Sequence, residues 1–221
     1  MYVYAVTSRG QRRIAARGIA GEPLRRIRVN RIDVIVGDLR KPPRPTPANL
    51  RKHIAIVEKI AAAHSAALPA RFGTTAHSDE ELAIVVRARQ RSLAELLANV
   101  RSRAQMTIRV VGRAAPRKAA GRPHARGAGP AVGRSNAGTD YLRRRAAQAR
   151  DVSGFDPIRG AVERWVRDER VEHHQKVATV YHLIPRGSIA TYRAALERAA
   201  TTAGTRLMVS GPWAPYAFAS F

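Results

Sequence analysis

The chain has 221 residues, which is enough for one large domain or two modest ones. It contains no cysteine, so a disulfide framework, a cysteine-based zinc site and a thiol nucleophile are excluded. Its formal charge of +24 raises nucleic acid or another polyanion as a partner, although charge says nothing about the fold. No apolar run is long enough to span a membrane, and the N-terminus lacks the charge order of a signal peptide. We therefore expect a cytoplasmic protein.

The first strand is predicted at 2–6, where apolar side chains occupy both faces. Strict alternation places Tyr2, Tyr4 and Val6 on one face of this strand. Because both faces are apolar, we expect the strand to lie inside a sheet rather than at its edge. A short basic stretch around 9–17 follows, and its pattern allows a helix.

Two short runs, Leu24–Val29 and Ile32–Val36, flank Asn30-Arg31 and predict a tight hairpin. A Pro-rich loop then leads into a helix predicted from about Ala48 to His64. Helical spacing predicts that its apolar stripe consists of Leu50, Ile54, Val57 and Ile60/Ala61.

The segment LPARFG, residues 68–73, predicts a short strand that ends at a glycine. Ser78 and Glu81 have the S-x-x-E spacing of a capping box and start a helix that carries apolar residues as far as Val100. The order up to this helix is β, short α, β, β, α, β, α, and its first six elements fit the split βαβ, ferredoxin-like pattern. A further strand is predicted at 105–111.

Residues 113–137 are rich in Gly, Pro, Ala and Arg and contain no acid, which predicts a linker or a disordered loop. This change in composition divides the chain into an N-terminal α+β domain at 1–112 and a C-terminal domain at 138–221. The elements predicted for the second domain are helices at 140–150, about 155–172 and 188–203, and strands at 177–184 and 205–209. In the second of these helices, Asp168, Glu169 and Glu172 alternate with arginines and predict a solvated face of local ion pairs.

The last eleven residues of the chain carry four of its twelve aromatic side chains, namely Trp213, Tyr216, Phe218 and Phe221. Pro212 and Pro215 fix φ and lack an N–H, so we expect this segment neither to continue a strand ladder nor to form a helix. Such a terminus should be held either on its own domain or on a partner. Both alternatives stay open, because packed aromatic residues can also shape a binding surface.

No arrangement of residues points to catalysis, since the chain has no G-x-S-x-G elbow and no P-loop. His53, His64 and His77 lack the spacing of a metal motif, so we predict structural histidines and no metal, cofactor or small-molecule ligand. Arg71 and Phe72 form either a contact site or the end of a strand, with Phe72 in the core and the next glycine in a left-handed turn.

Three stretches together resemble the gas vesicle protein F/L family: MYVYAV at the start, LRKHIAIVEKIAAAHSAALPARFGT at 50–74 and SGPWAPYAFASF at the end. The segments QMTIRV, GTDYLRRR and VATVYHLIPRGSIATYRAAL lie between them in the order of the family. The resemblance implies an N-terminal α+β domain and a C-terminal modified ferredoxin-like domain. It also implies a non-enzymatic accessory or minor structural protein in the assembly of the gas vesicle, a hollow protein shell that gives cells buoyancy.

The implied partners are the gas vesicle shell protein and other accessory proteins, with no membrane involved. The candidate contact residues are Trp213, Tyr216, Phe218, Arg71 and Phe72. The chain departs from the family pattern at Ala214, where a proline is usual, and at Gln105, where a glutamate is common. The alternative function is nucleic-acid binding through the region 96–139, which contains nine basic residues and no acidic one.

Overall fold

A computed structural model describes most of the chain, namely residues 1–10, 15–39, 41–113, 152, 154–174 and 177–219. The helix predicted at 140–150 and the aromatic residue Phe221 lie outside these ranges, as does the linker predicted at 113–137 except for its first residue. The basic stretch around 9–17 is described only at its ends, and those ends are not helical.

The first of two sheets is built from the N-terminal part of the chain. Its strands are β1 (Tyr2–Ser8), β2 (Leu24–Val29), β3 (Ile32–Gly37) and β4 (Ala67–Pro69). All pairs are antiparallel in the order β2-β3-β1-β4, so β1 lies inside the sheet and β3 separates it from β2, as the split βαβ pattern predicts. Helix α1 (Pro47–Ala63) packs on one face, and α2 (Asp79–Ala88) and α3 (Gln90–Val100) pack on the other.

The second sheet repeats this connectivity. Its strands are β5 (Arg103–Arg113), β6 (Asp168–His174), β7 (Val177–Pro185) and β8 (Thr205–Trp213), in the antiparallel order β6-β7-β5-β8. Helices α4 (Asp156–Val162) and α5 (Ile189–Thr202) contribute to the apolar core on one face of it. Two antiparallel sheets with packed helices confirm the α+β class predicted from the sequence.

Strand β5 pairs with β7 and β8, so it belongs to the second sheet. The change in composition at 113 predicted this strand within the N-terminal domain at 1–112, whereas both strands that pair with it come from the C-terminal part of the chain. The basic segment 114–151 connects β5 to α4, two elements of the same unit. The domain boundaries themselves stay a prediction.

A β-bulge in β1 corrects the predicted faces of that strand. The pairing with β3 shifts register between Val3 and Ala5, so one extra residue lies on β1. Tyr2, Tyr4 and Ala5 consequently face α1, whereas Val3 and Val6 face the other core. The prediction that Val6 shares a face with the tyrosines was wrong because strict alternation does not survive a bulge.

The helices of the first sheet also differ in detail from their predictions. The buried stripe of α1 consists of His53, Ile56, Val57, Ile60 and Ala61. Leu50 and Ile54, which the spacing predicted to be in the core, are 38% and 40% exposed. The single helix predicted after Ser78 is two helices, because Arg89 leaves the helical region with φ −107° and ψ 13°.

The helix predicted at 155–172 is wrong in its second half. Helix α4 ends at Val162, a single 3₁₀ turn follows, and β6 begins at Asp168. Pairing with β7 overrides the helical pattern, since it places Glu169 directly opposite His182. The acidic residues of this segment therefore do not form the predicted face of a helix.

Strand β8 runs four residues further than predicted and includes Pro212. Trp213 still pairs with Gln105, beyond a register shift in β5. A proline is tolerated here because β8 is an edge strand, where one side of the backbone makes no ladder bonds. The prediction that the prolines would end the ladder at 209 was therefore wrong.

A buried polar network links the second sheet to its helices. The His182 side chain is fully buried, with Nε2 2.9 Å from Glu169 Oε2 and Nδ1 2.6 Å from the hydroxyl of Tyr192. Arg159 of α4 donates a second bond to Glu169 Oε2 at 3.1 Å. Burial alone would raise the pKa of Glu169, but the hydrogen bond and charge of His182, together with the charge of Arg159, lower it below its ordinary value of 4.5.

We expect Glu169→Gln to lower the free energy of unfolding at pH 7 by about 1–3 kcal/mol, because the acceptor that Arg159 and His182 share loses its negative charge. A lowered folded pKa contributes stability above the unfolded value of 4.5, and this contribution disappears as the pH falls through the folded pKa. The difference between wild type and variant should therefore shrink in urea titrations as the pH falls below 4.5. The exposed Glu163→Gln is the matched control, and an equal loss in both variants would contradict the prediction.

Candidate protein-interaction site

The tail, defined as residues 213–219, lies across both sheets. The backbone N–H of Ala214 donates to Glu58 Oε1 of α1 at 2.7 Å. The N–H of Ala217 donates to Gln105 Oε1 of β5 at 2.8 Å, and its carbonyl accepts from Arg170 of β6 at 2.6 Å. Three hydrogen bonds thus connect the tail to a helix of the first sheet and to two strands of the second.

The aromatic side chains of the tail occupy very different environments. Phe218 is fully buried in the core beneath α2 and α3, and Leu183 of the second sheet belongs to the same core. The guanidinium of Arg170 lies over the Phe218 ring. Tyr216 is half-buried beside α1, and its buried hydroxyl has no hydrogen-bond partner among the described residues. Trp213 remains 39% exposed. The tail is therefore packed on its own protein with one indole presented to solvent.

The two departures from the family pattern both lie at these tail contacts. A proline in place of Ala214 would have no N–H to donate to Glu58. Burial raises the pKa of Glu58, and the bond from Ala214 together with the charge of Arg186 opposes that rise. The Gln105 amide both accepts from Ala217 and donates to Thr107 at 3.3 Å, whereas an ionised glutamate could only accept.

A second predicted segment, the turn at Arg71–Thr74, is held by a buried hydrogen-bond chain. The hydroxyl of Tyr2 accepts from the N–H of Gly73 at 3.0 Å and lies 3.0 Å from His53 Nδ1. His53 Nε2 lies 3.0 Å from the carbonyl of Ala70, so Nε2 carries the proton and Nδ1 accepts from the tyrosine. Burial lowers the pKa of His53 and raises that of Tyr2.

The structure brings the turn and the tail together. The Phe72 ring lies 6.1 Å from that of Tyr2 and 5.6 Å from that of His53, and Tyr216 packs against the same core. Gly73 has φ +89°, the left-handed conformation expected for this turn. Arg71 is exposed. The role of these residues in protein contact stays a prediction.

The tail ends beside an apolar cavity of about 280 Å³ that was not predicted from the sequence, here named the α2 groove. It lies between the first sheet and α2, and Ala219 is one of its lining residues. The signal was present in the run Ile84-Val85-Val86, because three consecutive apolar residues cover more of a helix than one buried stripe requires. Only Val86 of the three is buried.

Comparison with known proteins identifies the class to which this architecture belongs. The sequence model described as "Gas vesicle synthesis protein GvpL/GvpF" matches residues 1–220. The chain therefore belongs to the GvpL/GvpF family of gas vesicle proteins, as the resemblance predicted, and a role in gas vesicle formation follows. No curated protein matches the sequence.

Two crystal structures share the fold. One is gas vesicle protein GvpF from Microcystis aeruginosa, with a TM-score of 0.72 and 14% identity, covering 100% of this chain and 98% of that one. The other is GvpF from Anabaena sp. PCC7120, with a TM-score of 0.72 and 13% identity, covering 100% of this chain and 95% of that one. Within the described residues, no helix has the length and apolar character needed to cross a membrane.

We expect Phe218→Ala to cost about 3–5 kcal/mol of unfolding free energy, because it leaves a cavity in a core that both sheets share. Trp213→Ala, the matched tail control, removes a partly exposed side chain and should cost less than about 1 kcal/mol. Chemical denaturation of both variants checks this difference. Equal and small losses would show that the tail is not part of the core.

The two tyrosines of this region should respond in opposite ways to loss of the hydroxyl. Tyr2→Phe leaves the Gly73 N–H and His53 Nδ1 without their partner, at a cost of about 1–3 kcal/mol. Tyr216→Phe removes a buried hydroxyl that has no described partner, so stability should be unchanged or higher. Thermal melts of the two variants measure the contrast, and a large loss in Tyr216→Phe would contradict it.

Proposed function

We propose that this protein is a non-enzymatic assembly factor of the gas vesicle that binds the shell protein, or sister accessory proteins, through the surface around its tail. The observation that carries the proposal is the exposed indole of Trp213 at the start of a tail that hydrogen bonds hold in place. An aromatic anchor that is already ordered loses little conformational entropy on binding. Tryptophan is also enriched among the residues that dominate binding energy at interfaces.

The surface next to Trp213 supports this role. Trp213 and Pro212 line a shallow cavity of about 180 Å³. Residues of α1 and Ile189, at the start of α5, also line it. Arg186 at its wall donates to the carbonyl of Ala61 at 2.7 Å and so helps to fix the two sides relative to each other. A site of this kind, with apolar side chains beside charged ones, would shield or position a hydrophobic shell subunit before it enters the growing shell, in the cytoplasm or at the gas vesicle itself.

Three buried or largely buried titratable side chains have structural partners, which supports a role without catalysis. His53 of α1 bonds to the carbonyl of Ala70, next to the turn at 71–74, and the pair Glu169 and His182 joins β6 to β7. Each of these side chains uses its polar atoms within the protein.

The test is capture of the gas vesicle shell protein by the full chain at low and high salt. Trp213→Ala should weaken capture by about tenfold or more, as loss of an interface anchor does. Met208→Ala, which changes another exposed apolar side chain of β8, should have less than a twofold effect. Removal of 211–221 is unsuitable, because it would also remove the buried Phe218.

Capture that persists at high salt and depends on Trp213 would support the assembly role. No capture of the shell protein by folded wild type at either salt concentration would overturn it. If nucleic acid instead copurifies with the protein and is released by salt, binding through the basic region 96–139 becomes the better explanation.

A further inference from the structure

The α2 groove is an apolar surface that the described part of the chain leaves open. Its walls are aliphatic side chains of β1, β3, α2 and α3, and its rim carries charged ones. The aliphatic lining residues are Val3, Val6, Val34, Leu82, Val85, Val86 and Leu93. Val85 is 47% exposed although it lines the groove, so the core does not extend to the outer end of this surface.

The size of the groove indicates what it can hold. Its volume of about 280 Å³ lies just below the range of roughly 300–1,000 Å³ that is typical of pockets for small molecules and cofactors. It has room for the apolar side chains of a protein segment. An apolar groove beside a sheet is also a common docking place for a segment with apolar side chains on one face.

The charged residues that line the groove differ in sign between its two ends. Arg71 and Arg89 line it, and neither guanidinium has a hydrogen-bond or ion-pair partner in the part of the chain described. Glu81, the carboxylate among the lining residues, already accepts from the N–H of His77 at 2.8 Å. Glu81 and Arg89 lie at opposite ends of α2, eight residues or about 12 Å apart. The unpaired charge at the Arg89 end is therefore positive.

We infer that the α2 groove is a docking site for a protein segment that inserts apolar side chains between α2 and the first sheet and places a carboxylate at Arg89. This inference rests on the proposed function, because it names a contact surface and the chemistry of the segment that the assembly partner presents there. Charge complementarity selects such a segment over a purely apolar one, since an unpaired guanidinium gains a hydrogen-bonded partner at the rim. Because Arg71 and Ala219 both line the groove, this surface is continuous with the turn and the tail.

The chain offers two matched pairs of variants for the test. Val85→Asp places a charge in the groove, whereas Ile84→Asp places the same charge on the adjacent residue, which is 63% exposed and does not line the groove. Arg89→Glu reverses the charge at the rim, whereas Arg87→Glu makes the same change in net charge on an exposed residue outside it. All four positions are exposed, so folding should be retained, and a thermal melt of each variant checks this.

The probe is the tagged gas vesicle shell protein, captured by full-length wild type and each variant at two salt concentrations. We expect Val85→Asp to weaken capture by about tenfold and Ile84→Asp by less than about twofold. Arg89→Glu should weaken capture by about fivefold or more at low salt, with a smaller difference at high salt because salt screens the lost pair, and Arg87→Glu should remain within about twofold.

The outcomes separate the docking site from the proposed function. If wild type captures the shell protein and the two variants of each pair weaken capture equally, the α2 groove is not the docking site, and the assembly role still stands. No capture by folded wild type would overturn the proposed function and this inference with it. Selective loss in Val85→Asp and Arg89→Glu, while Trp213→Ala also weakens capture, would support one continuous contact surface.

Discussion

Ala214 donates its backbone N–H to Glu58 of α1, which packs on the first sheet, and Ala217 donates to Gln105 of the second sheet. Phe218 next to them is fully buried. An N–H group buried without an acceptor is costly, so Glu58 and Gln105 fix the path of the tail as well as its position. The side chain of Phe218 then packs in the same core as residues of the first sheet and Leu183 of the second. The tail therefore contributes to the relative placement of the two sheets.

The same strand order in both sheets explains why the tail can join them. Each sheet has its first strand inside and its second and fourth strands at the edges. The fourth strand of the second sheet, β8, is paired with β5, which follows α3 of the first sheet after only two residues. The end of β8 consequently lies close to the junction between the sheets. Ser102 and Ser65 strengthen this junction through a backbone hydrogen bond of 2.6 Å.

The candidate interaction surface depends on this internal packing. Trp213 is exposed at the start of the tail, Arg71 lies on a turn fixed through Tyr2 and His53, and Ala219 lines the α2 groove at the other end of the tail. Packing is thus compatible with the proposed partner binding at the tail, because its buried residues order the ones that face solvent. Membership of the GvpL/GvpF family is consistent with such a surface serving in gas vesicle formation.

Local patterns in the sequence determined much of the architecture. The hairpin at 24–36, the cap at Ser78, helix α5 and the left-handed Gly73 follow from short-range spacing and turn chemistry, which neighbours in the chain decide. The family was also recognisable, because ordered motifs survive where overall identity is low. The sequence was enough to single out four candidate contact residues, namely Trp213, Tyr216, Phe72 and Arg71. It did not show how differently their side chains are buried.

Tertiary structure decided the features that depend on residues far apart in the chain. The bulge in β1 changed which side chains share a face, and pairing with β7 turned a charged helical pattern into strand β6. The edge position of β8 allowed Pro212 within a ladder, and the α2 groove exists only because α2 lies across the first sheet. Periodicity reports the conformation that a segment prefers by itself. Hydrogen bonds between distant strands and the burial of shared apolar surface contribute more free energy than that preference, and they are not visible in the local sequence.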